Sequence, residues 1–235
     1  MTAFERRGGG KTSRSMGFKG FTLAEVLITL GISGVVAALT LPAFFSNYQK
    51  HVVENRLKNF YSMINQALRS YVAANGELDG VTSCGNKNCS YSQNVDWLNT
   101  HILPFIKYRD LKKCRTGPLI AEGACVYLYN GDSFAWAMNS SGGELIYCIK
   151  CDANIDVTPY SPKKRFAFEF DKNGQSKNYI EPYAWNWNGT IEGLKNDNNV
   201  DGAKKYGCRK NNTRFEYCTK YIQVNGWKIP DDYPW

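Results

Sequence analysis

One carboxylate, Glu25, borders an otherwise uncharged run, VLITLGISGVVAALTLPAFF from Val26 to Phe45. An acid inside lipid is costly, so such a residue has a partner and a function, and no basic residue of the run can be that partner. Eight cysteines offer a second chemistry, as disulfides or as thiolate metal ligands. Cys148 and Cys151 form the one C-x-x-C pair, and His51 and His101 are the only histidines. Without a second pair at ribbon spacing or a thioredoxin-like surround, this argues against a zinc or redox site, and no metal is expected. Asn196-Asp197-Asn198-Asn199-Val200-Asp201-Gly202 is rich in oxygen donors, yet it lacks the spacing and final glutamate of an EF-hand and reads as an Asx-rich surface turn. Tyr183, Trp185 and Trp187, with Trp227 and Trp235 later, could stack on a base, sugar or surface ligand, although such rings also plug small cores. There is no phosphate-cradling glycine loop, no nucleophile elbow and no convincing carboxylate pair, so neither an enzyme nor a cofactor is expected.

The element that must carry Glu25 is a helix. Twenty apolar residues at about 1.5 Å each match a hydrocarbon core of roughly 30 Å. A signal peptide would have a shorter apolar region, and a buried core helix would show a polar face. The formal net charge is +8, and the first twenty residues hold a net +4 of it through Arg6, Arg7, Lys11, Arg14 and Lys19 against Glu5. Bulk charge therefore argues only weakly for a nucleic-acid partner. Placed before the span, it predicts an N-terminus in the cytoplasm and an exported remainder, where disulfides persist.

Lys19-Gly20-Phe21-Thr22-Leu23-Ala24-Glu25, followed by the apolar helix, resembles the cleavage and methylation motif of the type IV pilin and type II secretion pseudopilin superfamily. The resemblance implies that a prepilin peptidase cuts after Gly20 and methylates Phe21. It also supplies the missing partner, because the freed amine of Phe21 in one subunit would pair with Glu25 of its neighbour. Pro42 resembles the family's helix proline and is expected to kink the axis. Other pilin or pseudopilin subunits, the peptidase, an inner-membrane assembly platform and membrane lipid are the implied partners. The implied location is the inner membrane and then a filament in the periplasm or at the cell surface. An alternative is a DNA-uptake or adhesion subunit whose head binds a ligand, with Lys163, Lys164 and Arg165 beside Trp185 and Trp187 as the patch. Some secretion pseudopilins bind calcium in C-terminal loops, but the Asx-rich run is not read as such a site here.

Beyond the span, Val53, Leu57, Phe60, Ile64, Leu68 and Tyr71 recur in three- and four-residue steps, one face of a continuing helix. Lys50, Glu54, Lys58, Asn59, Asn65 and Arg69 make the other face, and Asn75-Gly76 the stop. Strands are predicted at 124–129, 134–138, 145–149, 166–170 and 217–224, with turns at 130–132, 141–143 and 171–174. Loops are expected between Gly76 and Gly123, with a short helix near 95–103. The expected fold is α+β, a long N-terminal helix packed on an antiparallel sheet with disulfide-rich loops. Its parts are a cleaved leader (1–20), a transmembrane polymerisation helix (21–45), an amphipathic continuation (46–75) and an exported head (76–235). Eight cysteines allow 105 pairings. Local pairs are available as Cys84 with Cys89, Cys114 with Cys125, Cys148 with Cys151, and Cys208 with Cys218.

Overall fold

The apolar stripe of the second half of the helix is buried: Leu57, Ile64 and Leu68 have no exposed surface. A computed structural model describes residues 20–78, 84, 88–116, 122–139, 142–156, 160–170, 178–196 and 206–235. Helix α1 runs Leu23–Asn75 and ends where Gly76 takes a φ of 94°, the left-handed stop expected there. The boundary between the two compact units of the chain falls between Asn47 and Tyr48.

In the second unit, a six-stranded antiparallel sheet follows chain order: β1 (Tyr108–Cys114), β2 (Gly123–Leu128), β3 (Ser133–Asn139), β4 (Gly142–Cys148), β5 (Arg165–Phe170) and β6 (Ile180–Pro182). Alternation sends Phe134, Trp136, Leu145, Tyr147, Phe166 and Phe168 into the core. The Phe60 ring stacks on Tyr147 with centroids 3.9 Å apart and meets Phe134 and Phe168 at 5.6 and 5.7 Å. Long helix, sheet and four disulfides make the fold α+β, as expected.

Polar residues fix the register of these layers. Asp132 is buried in the β2–β3 turn and accepts hydrogen bonds from Arg56 (2.6 Å), Tyr147 Oη (2.6 Å), Asn130 Nδ2 (2.7 Å) and the Lys150 N–H (3.0 Å). Asn65 pairs its amide with Ile180, accepting its N–H and donating to its carbonyl, both at 2.9 Å. It thereby gives the short edge strand β6 a side-chain partner in place of a strand. Glu54, on the face opposite the apolar stripe by sequence, is nevertheless 6% exposed. It accepts the Ile229 N–H (2.9 Å) and Lys228 Nζ (3.0 Å) and contacts His51 Nδ1 (3.0 Å). Burial pushes its carboxyl up, but these three donors together outweigh burial and hold it below the ordinary value.

Two expectations need correction. The run 217–224 is not a strand: helix α4 spans Cys218–Val224, and its β-rich composition yields to burial of Tyr217, Cys218, Tyr221 and Ile222 at helical spacing. Between 76 and 123 the expected short helix is present as α2 (Tyr91–His101), but the expected loops give way at Tyr108–Cys114 to strand β1. A capping box starts α2 at Ser90, whose side chain accepts the Gln93 N–H while the Gln93 side chain accepts the Ser90 N–H. Strand β1 is an edge strand bearing Arg109, Asp110, Lys112 and Lys113, so it lacks an apolar alternation but resists edge pairing. Helix α3 (Ile191–Asn196) was also not foreseen. The turn at 171–174, residue 141, and 197–202 of the Asx-rich run lie outside the described residues.

Candidate functional site

Thr22 and Glu25 close the first turn of α1 reciprocally. The Glu25 N–H donates to Thr22 Oγ1 (3.2 Å), and Glu25 Oε2 accepts both the Thr22 N–H and the Thr22 hydroxyl at 2.8 Å. This is a capping box, and the pattern Thr-x-x-Glu signals it in the sequence. Thr22 is the functional neighbour that reading Glu25 alone missed. Among the described residues no ion pair reaches Glu25, so its partner here is neutral and local. Gly20 and Phe21 precede the helix, and Phe21 is 87% exposed.

From Phe21 to Phe45 the apolar side chains are exposed almost throughout. By length and composition α1 is the one helix, among the described residues, able to cross a membrane. The hydroxyls of Thr29 and Thr40 bond back to helix carbonyls, Thr29 to Glu25 O and Val26 O and Thr40 to Val36 O. In a lipid setting these polar atoms are thus already satisfied. α1 continues through Pro42, whose nitrogen has no hydrogen to give the preceding turn.

Elsewhere the candidate residues separate. The structure joins the cysteines as Cys84–Cys89, Cys114–Cys125, Cys148–Cys151 and Cys208–Cys218. The second bridge ties β1 to β2, and the third closes the turn after β4. His101 is buried between the rings of Tyr71 and Trp97 and bonds the Trp97 carbonyl through Nδ1 at 2.8 Å. The five aromatics do not form one platform. Trp227 packs on Tyr61, Trp235 on Tyr233, and Trp187 donates Nε1–H to Thr190 O at 2.7 Å, while Tyr183 and Trp185 both neighbour Tyr206. Arg165 is 3% exposed and donates to Ala153 O (2.9 Å), which removes it from any surface patch with Lys163 and Lys164.

Residues 15–41 match the prokaryotic N-terminal methylation motif, and residues 43–235 match a family of unknown function (DUF6613). The chain belongs to DUF6613. It is type IV pilin/pseudopilin-like, and its motif is that of a pilin-like subunit of the prepilin-processed kind, which associates with other pilin subunits and a prepilin peptidase. Motif and apolar helix are consistent with a membrane-anchored single-pass protein. No curated protein and no solved structure gives a match. The DUF6613 region takes in the amphipathic part of α1, the sheet and all eight cysteines, whereas Gly20, Phe21, Thr22 and Glu25 fall in the methylation motif.

Proposed function

We propose that this chain is a structural subunit of a type IV pilus-like or type II secretion filament. It is processed between Gly20 and Phe21, methylated at Phe21 and assembled through residues 21–45. The leader 1–20 stays in the cytoplasm, the span rests in the inner membrane, and 46–235 is exported. On extraction by the assembly platform, Glu25 exchanges its capping bonds for the Phe21 amine of an adjoining subunit. The charge that processing creates thereby meets the acid that lipid disfavours. Pro42 bends the helix where the span ends.

The observation that supports this reading is a lone acid at the head of an exposed apolar helix, held among the described residues by Thr22, three positions away. A plain anchor has no use for that acid. The test is intact-mass and N-terminal analysis of protein from membranes that hold the processing peptidase. A mature chain that begins with methylated Phe21 supports the proposal, and any other start refutes it.

A further inference from the structure

Asn-Gly pairs recur along the chain as Asn75-Gly76, Asn130-Gly131, Asn173-Gly174, Asn188-Gly189 and Asn225-Gly226. Each sets an electrophile, the asparagine Cγ, beside the amide nitrogen of a residue with no side chain to block its approach. Asn173-Gly174 lies outside the described residues. For the others the fold decides which pair is free to react.

Three pairs are held at both reacting atoms. The Gly76 N–H donates to Val72 O (2.8 Å), the Gly131 N–H to Leu128 O (3.1 Å) and the Gly226 N–H to Gln223 O (3.0 Å), so each nucleophile is tied into a turn. The carboxamide nitrogens, which would have to leave, are engaged as well. Asn75 Nδ2 donates to Tyr71 O (2.9 Å), Asn130 Nδ2 to Asp132 Oδ2 (2.7 Å) and Asn225 Nδ2 to Lys228 O (3.0 Å). At Asn188-Gly189 neither the Gly189 N–H nor Asn188 Nδ2 has a hydrogen-bond partner among the described residues.

The remaining atom of that carboxamide is held as the reaction requires. Asn188 Oδ1 accepts the Thr190 N–H at 3.0 Å and the Thr190 hydroxyl at 2.8 Å. Two donors on a carbonyl oxygen polarise its carbon and stabilise the negative charge that develops on the oxygen under attack. The Thr190 hydroxyl oxygen in turn accepts the Gly193 N–H (3.0 Å), and Trp187 Nε1–H donates to Thr190 O (2.7 Å), so the donor residue is fixed from both sides. Gly193 leaves room for the carboxamide, because a β-carbon there would collide with Asn188 Oδ1. Asn188 and Gly189 are exposed, and the space about the Gly189 α-carbon is open, so water reaches both.

We propose that Asn188 is a site of spontaneous covalent modification, deamidation through a cyclic succinimide. Hydroxide takes the Gly189 amide proton, and the nitrogen bonds to Asn188 Cγ. The Cγ–Nδ2 bond then breaks, and the amide nitrogen leaves as ammonia with a proton from water. Water next adds to either imide carbonyl and opens the ring to aspartate or isoaspartate at 188. Both products add a negative charge. Isoaspartate also lengthens the main chain just before α3, whose Leu194 is buried and accepts the Cys208 N–H at 2.8 Å. The site is independent of the filament reading, so either can fail alone.

The test is incubation of the full chain in non-ionic detergent at mildly alkaline pH, in heavy-oxygen water, followed by peptide mapping with mass spectrometry. In the folded chain Asn188 should convert at least about tenfold faster than Asn75, Asn130 and Asn225, where two hydrogen bonds must break first. The product should carry solvent oxygen and appear as both aspartate and isoaspartate. In denaturant the four rates should converge. Thr190→Val keeps the N–H and the shape but loses the hydroxyl donor, and should slow Asn188 about fivefold in the folded chain. Thr190→Ser, which keeps the hydroxyl, should react at the native rate, and circular dichroism confirms that both variants fold. Equal rates at the four sites in the folded chain overturn the proposal, as does a native rate in Thr190→Val. The same spread of rates in denaturant also overturns it, since local sequence and not the fold would then set the order. Asn188-Gly189-Thr190 has the acceptor spacing for N-glycosylation too, and a sugar found on Nδ2 in chain purified from exporting cells would overturn the proposal by blocking the leaving group.

Discussion

Two glutamates of the same helix show how differently its halves are built. Glu54 is buried and held by donors from residues 228 and 229, at the far end of the chain, and by His51. Glu25 is exposed, and what holds it is Thr22. The first carboxylate is complete within one chain, as a buried charge must be. The second is complete only in the sense that a helix cap is, with no counter-charge among the described residues. The apolar side chains divide in the same way, covered around Leu57 and Ile64 and bare around Leu27 and Leu39. The head half is finished by its own sequence, and the N-terminal half leaves its surface to lipid or to other subunits.

The sharpest way to break this contrast is to neutralise each acid in turn. Glu25→Gln should abolish incorporation into filaments, measured as chain recovered in the sheared filament fraction, while membrane insertion and the thermal unfolding of the head stay unchanged. Filaments at the normal level would show that the half-satisfied acid has no intersubunit role. The opposite pattern is expected in the head. Asp132→Ala strands Arg56, the Tyr147 hydroxyl and the Lys150 N–H, and should cost about 3–5 kcal/mol in chemical denaturation of the full chain in detergent. Glu54→Ala exposes a smaller deficit, an unpaired Ile229 N–H and a released C-terminal segment, at about 1–3 kcal/mol. A loss below 0.5 kcal/mol in both, roughly the scatter of surface substitutions, would contradict the view that the head is self-contained.

What could be read from the sequence follows the same division. The stripe from Val53 to Tyr71 was legible because helical periodicity is local, and so were β2, β3, β4 and β5, with apolar or aromatic residues in each. Glu25 was legible because nothing else in its surroundings is charged. The burial of Glu54 and Asn65, on the face opposite that stripe, was not legible because their partners lie 175 and 115 residues away, beyond any window of periodicity. The segment 217–224 misled because Tyr, Thr, Ile and Val favour strands in isolation, and packing decided for a helix. The meeting of Glu144 with Glu169 could not be foreseen at all, because they become neighbours only through strand register.

Acidity separates the head's own carboxylates by a smaller effect. Burial first, with Arg214 opposing and Glu144 adding, pushes Glu216 up to about 7 from an ordinary 4.5. The folded chain then binds more protons than the unfolded chain between those values, so this group's contribution to stability falls as pH rises from about 4.5 to 7 and is flat above. Glu54, whose carboxyl is lowered, acts in the other direction, and its contribution is lost as pH falls below the ordinary carboxylate range. Unfolding midpoints measured from pH 4 to 8 should therefore shift in Glu216→Gln, with the decline between 4.5 and 7 reduced. An unchanged profile would mean that Arg214 already neutralises Glu216 in full.

The finest distinction lies within the N-terminal turn itself, between Glu25 as a cap partner and Glu25 as an assembly charge. Thr22→Val keeps the β-branched shape and the acid but removes the hydroxyl that accepts the Glu25 N–H and donates to its carboxylate. Loss of a cap costs about 1 kcal/mol and is confined to the first turn. Amide hydrogen exchange in detergent should therefore accelerate about fivefold at residues 23–26 and nowhere in the head. Filament incorporation should fall only modestly, because the charge that the proposed contact needs is still present and is held by one donor fewer, the backbone N–H of residue 22. If Thr22→Val instead matched Glu25→Gln in abolishing incorporation, the cap and not the charge would be the essential feature. The contrast between the two glutamates would then be one of helix ends rather than of unfinished electrostatics.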